Sequence, residues 1–250
     1  MRTTLTLAAM SLTLLFAISA AQADPLLFLD DPSTLGIDVI IADNAPIGTN
    51  TVLGQTTHVD LSSAIGSLVF LDAVGTSLGG AWGLTVVTGA GNEILADQAM
   101  HLNSLNVTST AAGSIVVGFS ETGFEYPKDP VTIRSEFSVT TAGTVSIEWG
   151  ADANNKLFSG ATDLASWVPN ASAGPFGPGA FAATNDFSGN YASGPFSISQ
   201  VVSVTHTGPG QSTSFDSEIT AMPEPGTLAL VGMALVGAAI FNRRRRGNKA

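Results

Sequence analysis

The sequence of 250 residues contains no cysteine. This absence excludes disulfides, thiol catalysis and a lipidated cysteine behind a signal peptide, so the fold must be held together by burial alone. Basic residues are almost as scarce in the middle of the chain. Between residues 24 and 222, nineteen acidic residues face only three basic ones, a formal charge of −16: Lys128, Arg134 and Lys156. Such a chain repels phosphate backbones, so we expect no nucleic-acid partner.

Helical periodicity is also missing before residue 227. Apolar and polar residues instead alternate over 131–140, 145–149 and 196–204, which predicts half-buried antiparallel strands. Further strands are expected at 37–41, 68–73, 82–88, 114–119 and 214–220. Between Met100 and Val107 the apolar phase shifts, and this shift predicts a β-bulge near Asn103 and Ser104.

These short strands, separated by Gly, Asn, Asp and Ser, predict an all-β fold for residues 24–221. We expect an antiparallel β-sandwich with a jelly-roll-like arrangement. Regularity fades over residues 160–195, which are rich in glycine, proline and aromatic residues. That stretch is predicted to be a long loop inside the domain, with one short strand around 181–187.

The N-terminus has the pattern of a secretory signal. Arg2 precedes an apolar run, and Ala21 and Ala23 supply the small residues that signal peptidase reads. We expect residues 1–23 to be removed after export through the Sec machinery, so that the mature chain starts at Asp24.

The C-terminal residues 222–250 combine three elements in a fixed order. Pro223, Glu224 and Pro225 come first, an apolar segment at 227–241 follows, and the chain then carries four consecutive arginines: Arg243, Arg244, Arg245 and Arg246. As a helix the apolar segment rises ~22 Å, short of a hydrocarbon core of ~30 Å. It suits a single stop-transfer transmembrane helix, and the arginines place its C-terminal end in the cytoplasm.

This order of elements resembles the PEP-CTERM sorting signal of Gram-negative, exopolysaccharide-producing bacteria. The resemblance covers about the last 30 residues. It implies that Pro223, Glu224 and Pro225 form the recognition motif for exosortase, a membrane processing enzyme. It also implies an inner-membrane precursor that is then delivered to the cell surface or the extracellular matrix.

Three functions for the exported domain are compatible with the residues. The first is a structural or adhesive component of an exopolysaccharide or biofilm matrix, which fits the tail and the acidic domain. The second is a carbohydrate-binding module, which would need an exposed aromatic row for sugar stacking. Its candidate side chains lie in the stretch 160–195: Trp167, Phe176, Phe181 and Tyr191. The third is a surface hydrolase.

Candidate catalytic residues are isolated. Ser77 lies in a Gly-x-Ser-x-Gly pattern, but the expected strand after it replaces the helix that a hydrolase elbow needs. Glu121 and Glu125 would act as a glycosidase pair only if they flanked one cleft. We therefore assign no catalytic residue and expect the protein not to be an enzyme.

No metal-ligand spacing stands out, and we expect no cofactor. The histidines lack paired-ligand spacing and are expected to face solvent from strands: His58, His101 and His206. A calcium site made by Asp152, Asn154 and Asn155 stays open as an alternative to a solvated turn, because Lys156 and Leu157 exclude an EF-hand.

Overall fold

The computed structural model describes residues 25–33, 38–43, 57–58, 60–62, 64, 66–72, 81–91, 99–126, 130–160, 167–191 and 194–222. The predicted signal peptide and sorting tail lie outside these residues. The described chain is built of strands and one 3-10 segment, Leu157–Gly160. The strands are β1 (Leu26–Asp30), β2 (Val39–Ala42), β3 (Thr57–His58), β4 (Ser67–Asp72), β5 (Trp82–Ala90), β6 (Ala99–Ser109), β7 (Gly113–Phe124), β8 (Val131–Thr141), β9 (Thr144–Asp152), β10 (Ala171–Phe176), β11 (Gly179–Gly189), β12 (Phe196–His206) and β13 (Ser212–Met222).

The strands form two sheets that pack face to face. The first sheet has the order β10-β9-β12-β7-β1-β2-β3, and the second has the order β11-β8-β13-β6-β5-β4. Neighbours are antiparallel except β2 and β3, which pair in parallel. From β6 to β9 each strand crosses to the opposite sheet, as in a jelly roll. The predicted all-β antiparallel sandwich is confirmed, whereas the predicted C-terminal helix falls outside the described residues.

Alternating burial builds the core between the sheets. In β8 and β13 every second side chain is buried, because one face of the sheet packs inward and the other meets solvent. Phe119 and Trp149 from the first sheet meet Trp82, Phe137 and Phe215 from the second, all at most 2% exposed. Burial of large aromatic and aliphatic side chains thus replaces the missing disulfides as the main stabilising contribution.

Strand β1 is not predicted by alternation, because it is buried on both faces. Leu27 and Leu29 face the main core, whereas Leu26 and Phe28 join a second apolar cluster on the outer side of the first sheet. The 3-10 segment covers this cluster, and its Phe158 ring meets Phe28 edge-on with centroids 5.0 Å apart. A strand covered on both faces appears as a continuous apolar run, for which a period of two gives no signal.

The predicted long loop at 160–195 is wrong over 171–176 and 179–189, and the short strand expected around 181–187 lies within the second of these stretches. Residues 171–176 form β10, the edge strand of the first sheet, and residues 179–189 form β11, the edge strand of the second. Glycine and proline hide β10 and the ends of β11 from propensity, because both residues are depleted in strands. Edge positions tolerate them better, since one side of the strand carries no ladder hydrogen bonds.

The predicted bulge in β6 is confirmed. Against β13, Leu105 lies opposite Phe215 and Leu102 lies opposite Ser217, so three steps along β6 match two along β13. The extra residue falls at Asn103 and Ser104, opposite Asp216. A bulge of this kind bends the strand and redirects a side chain.

Candidate functional site

The aromatic row expected for sugar stacking does not exist as an exposed surface. Trp167 is 6% exposed and packs edge-on against Phe158, with ring centroids 6.4 Å apart. Tyr191 is 7% exposed and stacks on Phe196 at 5.2 Å. Trp167 and Tyr191 therefore stabilise the sandwich, and their predicted role as exposed glycan contacts is wrong, since large aromatic side chains gain most from burial.

Phe176 and Phe181 lie elsewhere, where β10 leads into β11. Phe176 is half-buried and stacks between Phe137 at 6.3 Å and Phe181 at 5.2 Å. Phe181 is 37% exposed. These rings therefore continue the core outward to one edge of the sandwich, and they offer a single partly exposed ring instead of a platform.

The turn considered for calcium is occupied by its own hydrogen bonds. One carboxylate oxygen of Asp152 accepts from the Asn154 amide at 3.0 Å, and the other accepts from the Lys156 backbone N–H at 3.3 Å. The Asn155 side-chain oxygen accepts from the Gly123 backbone N–H at 2.8 Å. The side-chain oxygens of Asp152 and Asn155 are therefore engaged in local hydrogen bonds and in a bond to β7. Within the described ranges, no group of three or more His, Asp and Glu side chains is arranged to hold a metal ion.

The hydrolase candidates do not converge on one cleft. Glu121 is fully buried on β7, whereas Glu125 is exposed beyond its end. Ser77 lies outside the described residues. Two carboxyl groups that differ this much in solvent access do not flank a common substrate, as the glycosidase arrangement requires.

A buried hydrogen-bond chain runs through His206, a residue expected to face solvent but only 1% exposed. Ser109 donates to the Gly208 carbonyl at 3.1 Å, so its oxygen accepts from His206 Nδ1 at 2.7 Å. His206 Nε2 then accepts from the Thr213 hydroxyl at 2.9 Å. The Thr213 oxygen in turn accepts from Thr141 at 2.6 Å.

This chain of bonds holds His206 neutral. Each hydroxyl in it both donates and accepts, so the imidazole carries its proton on Nδ1 and has no room for a second one. Burial lowers the pKa of His206 in agreement with this. The Trp82 ring covers the imidazole at 5.3 Å between centroids. We interpret the chain Ser109–His206–Thr213 as a structural link between β6, β12 and β13, because no substrate could reach it.

A polar groove crosses the outer face of the second sheet and is the candidate functional site. It runs over β6, β13, β8 and β11 and encloses a volume of about 260 Å³. Its floor is low because Ser138 and Ala182, which are paired across β8 and β11, are small. Its polar lining consists of His101, Asn103, Glu136, Ser138, Thr184, Asp216, Ser217 and Glu218.

The strand register aligns one row of these groups. His101, Glu218, Glu136 and Thr184 are direct cross-strand partners on consecutive strands. Neighbouring strands lie ~4.8 Å apart, so the row extends for ~14 Å. Asn103 reaches the groove from the β6 bulge. The sequence indicated each strand's polar face, but not which residues become neighbours.

Electrostatics make the groove acidic. Glu218 accepts from His101 Nε2 at 3.1 Å and from the Thr220 hydroxyl at 2.9 Å. Glu136 lies directly opposite Glu218, an unfavourable like-charge pair in the absence of a bound partner. Beside the row, Arg134 donates two hydrogen bonds of 2.9 Å to Asp186, which lowers the pKa of that carboxyl. The groove thus combines hydrogen-bond donors and acceptors with a negative potential.

Comparisons with known proteins identify the tail. The sequence profile of the PEP-CTERM protein-sorting motif matches residues 223–246. The chain therefore carries a signal for export and exosortase-mediated sorting to the cell envelope of Gram-negative bacteria. The match begins one residue after Met222, the last residue of β13. No curated protein sequence matches this chain.

Solved structures with some likeness include TmCBM61 in complex with β-1,4-galactotriose, 14% identical at a TM-score of 0.30, covering 48% of this chain and 70% of that one. The enzymatically active domain of bacteriophage CBA120 tailspike protein 4 is 13% identical at a TM-score of 0.29, and the match covers 57% of this chain and 19% of that one. A CBM4 structure is 10% identical at a TM-score of 0.28, and the match covers 56% of this chain and 78% of that one. Likeness at this level carries no argument about function.

No helix among the described residues has the length and apolar character needed to span a bilayer. The predicted transmembrane segment at 227–241, the arginines that follow it and the signal cleavage residues Ala21 and Ala23 all lie outside that part of the chain.

Proposed function

We propose that this chain is a structural or adhesive component of an extracellular polysaccharide matrix, presented at the cell surface through its PEP-CTERM tail. The observation that carries the proposal is the sorting motif at 223–246, which follows a compact β-sandwich without a linker. Met222 still pairs with Thr132 of β8. Because the folded domain ends where the motif begins, processing would occur close to the sandwich.

The domain has properties that suit an extracellular scaffold. Its core is held by burial in two large sheets, and its formal charge of −16 between residues 24 and 222 favours solubility outside the cell. The same charge opposes adsorption to anionic lipid. Retention therefore depends on the tail before processing and on a polysaccharide partner after it.

Replacing Pro223, Glu224 and Pro225 by alanine tests the sorting step in a host that carries exosortase. We expect the wild-type chain outside the inner membrane, starting at Asp24 and lacking the residues from about Pro223 onward by intact mass. The triple variant should keep its tail and stay in the inner membrane. Pro209→Ala, in the exposed turn between β12 and β13, is the matched control and should be processed normally. Normal processing of the triple variant would contradict the proposal.

A second function, weak carbohydrate binding, is supported by the polar groove. Its carboxylates, amide and hydroxyls match the alternating donors and acceptors of a sugar chain. Its negative potential favours a neutral or amine-bearing glycan over an anionic one. The lack of an exposed aromatic platform in the described face implies modest affinity, on the order of a millimolar Kd. Many copies on one surface would strengthen the apparent affinity by avidity.

Filling the groove tests this second function. Ser138→Trp places a large ring on the groove floor, whereas Thr140→Trp makes a comparable change two residues along the same exposed face, outside the lining. Titration with neutral and amine-bearing polysaccharides should show at least a tenfold loss for S138W and little change for T140W. Equal binding by both variants would remove the groove as the binding site.

We also propose that the domain is not an enzyme. The buried Glu121 and the closed hydrogen-bond chain of His206 support this view, because neither group can reach a substrate. Incubation of the purified protein with the same polysaccharides should release no new reducing ends. The proposal would be overturned if the wild-type protein released reducing ends and Glu136→Gln abolished that release.

A further inference from the structure

Strand β11 has an edge that lacks the usual protection against pairing. It pairs with β8 over its whole length, Gly179 to Gly189, without a register shift. In the described part of the chain, no strand pairs with its other side. Edge strands are normally blunted by lysine, proline, bulges or shortness. Strand β10 shows two of these devices, Pro175 and a register shift, whereas β11 has none.

The edge is also neutral in a strongly acidic domain. Asp186 is the single charged residue of β11, and Arg134 neutralises it with two hydrogen bonds of 2.9 Å. Apolar groups follow the same edge, since Phe181 is 37% exposed and Phe187 is only half-buried. A second strand placed here would cover two aromatic rings without bringing two unpaired charges together.

The sequence of β11 is complementary to itself when read in the antiparallel direction. A twofold axis at Thr184 puts Phe181 of each copy opposite Phe187 of the other copy. It likewise pairs Gly179 with Gly189, and it sets Asp186 opposite Ala182 instead of a second carboxylate. Aromatic cross-strand pairs stabilise antiparallel ladders, and like charges facing each other destabilise them.

We propose that two copies of this chain associate through antiparallel pairing of their β11 strands, with the twofold axis at Thr184. The arrangement is a closed, isologous contact that joins two six-stranded sheets into one continuous sheet. Eleven residues on each side supply about ten backbone hydrogen bonds. The inference goes beyond the proposed matrix role and does not depend on the polysaccharide groove.

A cross-linking experiment tests the register directly, because the chain has no cysteine of its own. Residues that face each other in an antiparallel pair have Cα atoms about 4.5–5.5 Å apart, within the range of a disulfide. Thr184→Cys in the processed protein, purified from the sorting host, should form a covalent dimer rapidly under a mild thiol oxidant. Thr140 is also exposed but lies one strand inside the sheet, so Thr140→Cys should stay monomeric.

A second variant tests the association without covalent chemistry. Thr184→Lys is tolerated within one chain because Glu136 is its cross-strand neighbour, but it sets two lysines against each other at the axis. Light scattering should show a wild-type dimer that strengthens with added salt, since salt screens the repulsion between acidic domains. T184K should weaken the dimer at least tenfold, and Thr140→Lys should not. A wild-type monomer up to about 1 mM, or a dimer that T184K leaves intact, would overturn the proposal.

Discussion

Thr213→Val should destabilise the protein by breaking the buried hydrogen-bond chain at its centre. The Thr213 side chain is 1% exposed, donates to His206 Nε2 at 2.9 Å and accepts from Thr141 at 2.6 Å. Valine has nearly the same shape and keeps the branched β-carbon that suits a strand. The substitution therefore removes two hydrogen bonds while leaving the packing almost unchanged.

The expected loss follows from the groups left behind. One buried acceptor, His206 Nε2, and one buried donor, the Thr141 hydroxyl, lose their partner, and each unsatisfied group costs about 1–3 kcal/mol. The sum is about 2–6 kcal/mol, and for a domain of this size each kcal/mol lowers Tm by about 2–4 °C. Thermal unfolding followed by circular dichroism should show this fall for T213V. Thr140→Val, exposed on β8 beside Thr141, should change stability by less than about 0.5 kcal/mol.

Acid should weaken the same region in the wild-type protein. Burial lowers the pKa of His206 below its ordinary value of 6.5, so the folded state binds fewer protons than the unfolded state. The stabilising contribution of neutral His206 is complete above 6.5 and is lost as the pH falls from there through the lower folded value. A T213V loss no larger than that of T140V would refute the reasoning. So would a stability that rises as the pH falls through this range in Asp30→Asn, the variant that lacks the opposing titration of Asp30.

Two other substitutions carry expectations of their own. Burial, followed by the charges of Asp38 and Asp31, raises the pKa of Asp30 from 3.8 to about 6, so Asp30→Asn should stabilise the protein well above pH 6. Denaturant titrations should show this gain in stability fading as the pH falls from 6 toward 3.8. A gain that persists near pH 3.8 would contradict the expectation. Gly118→Ala should cost about 1–3 kcal/mol by the same titrations, because its new methyl group would overlap the Phe28 ring. Gly177→Ala, with no heavy atom within 4 Å of the added carbon, is its control, and equal stability of the two variants would show that the Phe28 contact relaxes freely.

The strands with a clear alternation were predictable, whereas β1 and β10 were missed and β11 was expected only in part, around 181–187. In β8 one face is core and the other is solvent, so the sequence shows a period of two. In β1 both faces are covered, and the period disappears. In β11 the inward-facing residues are half-buried or exposed, so small and polar residues are tolerated where a central strand would carry aliphatic ones. The β6 bulge was predictable because an extra residue shifts the apolar phase itself.

The sequence by itself determined where this protein is sent, what its charge excludes and that it folds from strands. Sorting motifs act as linear segments, net charge needs no geometry, and the period of two reflects the pleat of a single strand. Only the tertiary structure decided which aromatic side chains are buried and which polar residues meet. His101, Glu136 and Glu218 lie far apart in the chain and become neighbours through the pairing of β6, β13 and β8. Register is a property of strand pairs, so no single segment of the sequence contains it.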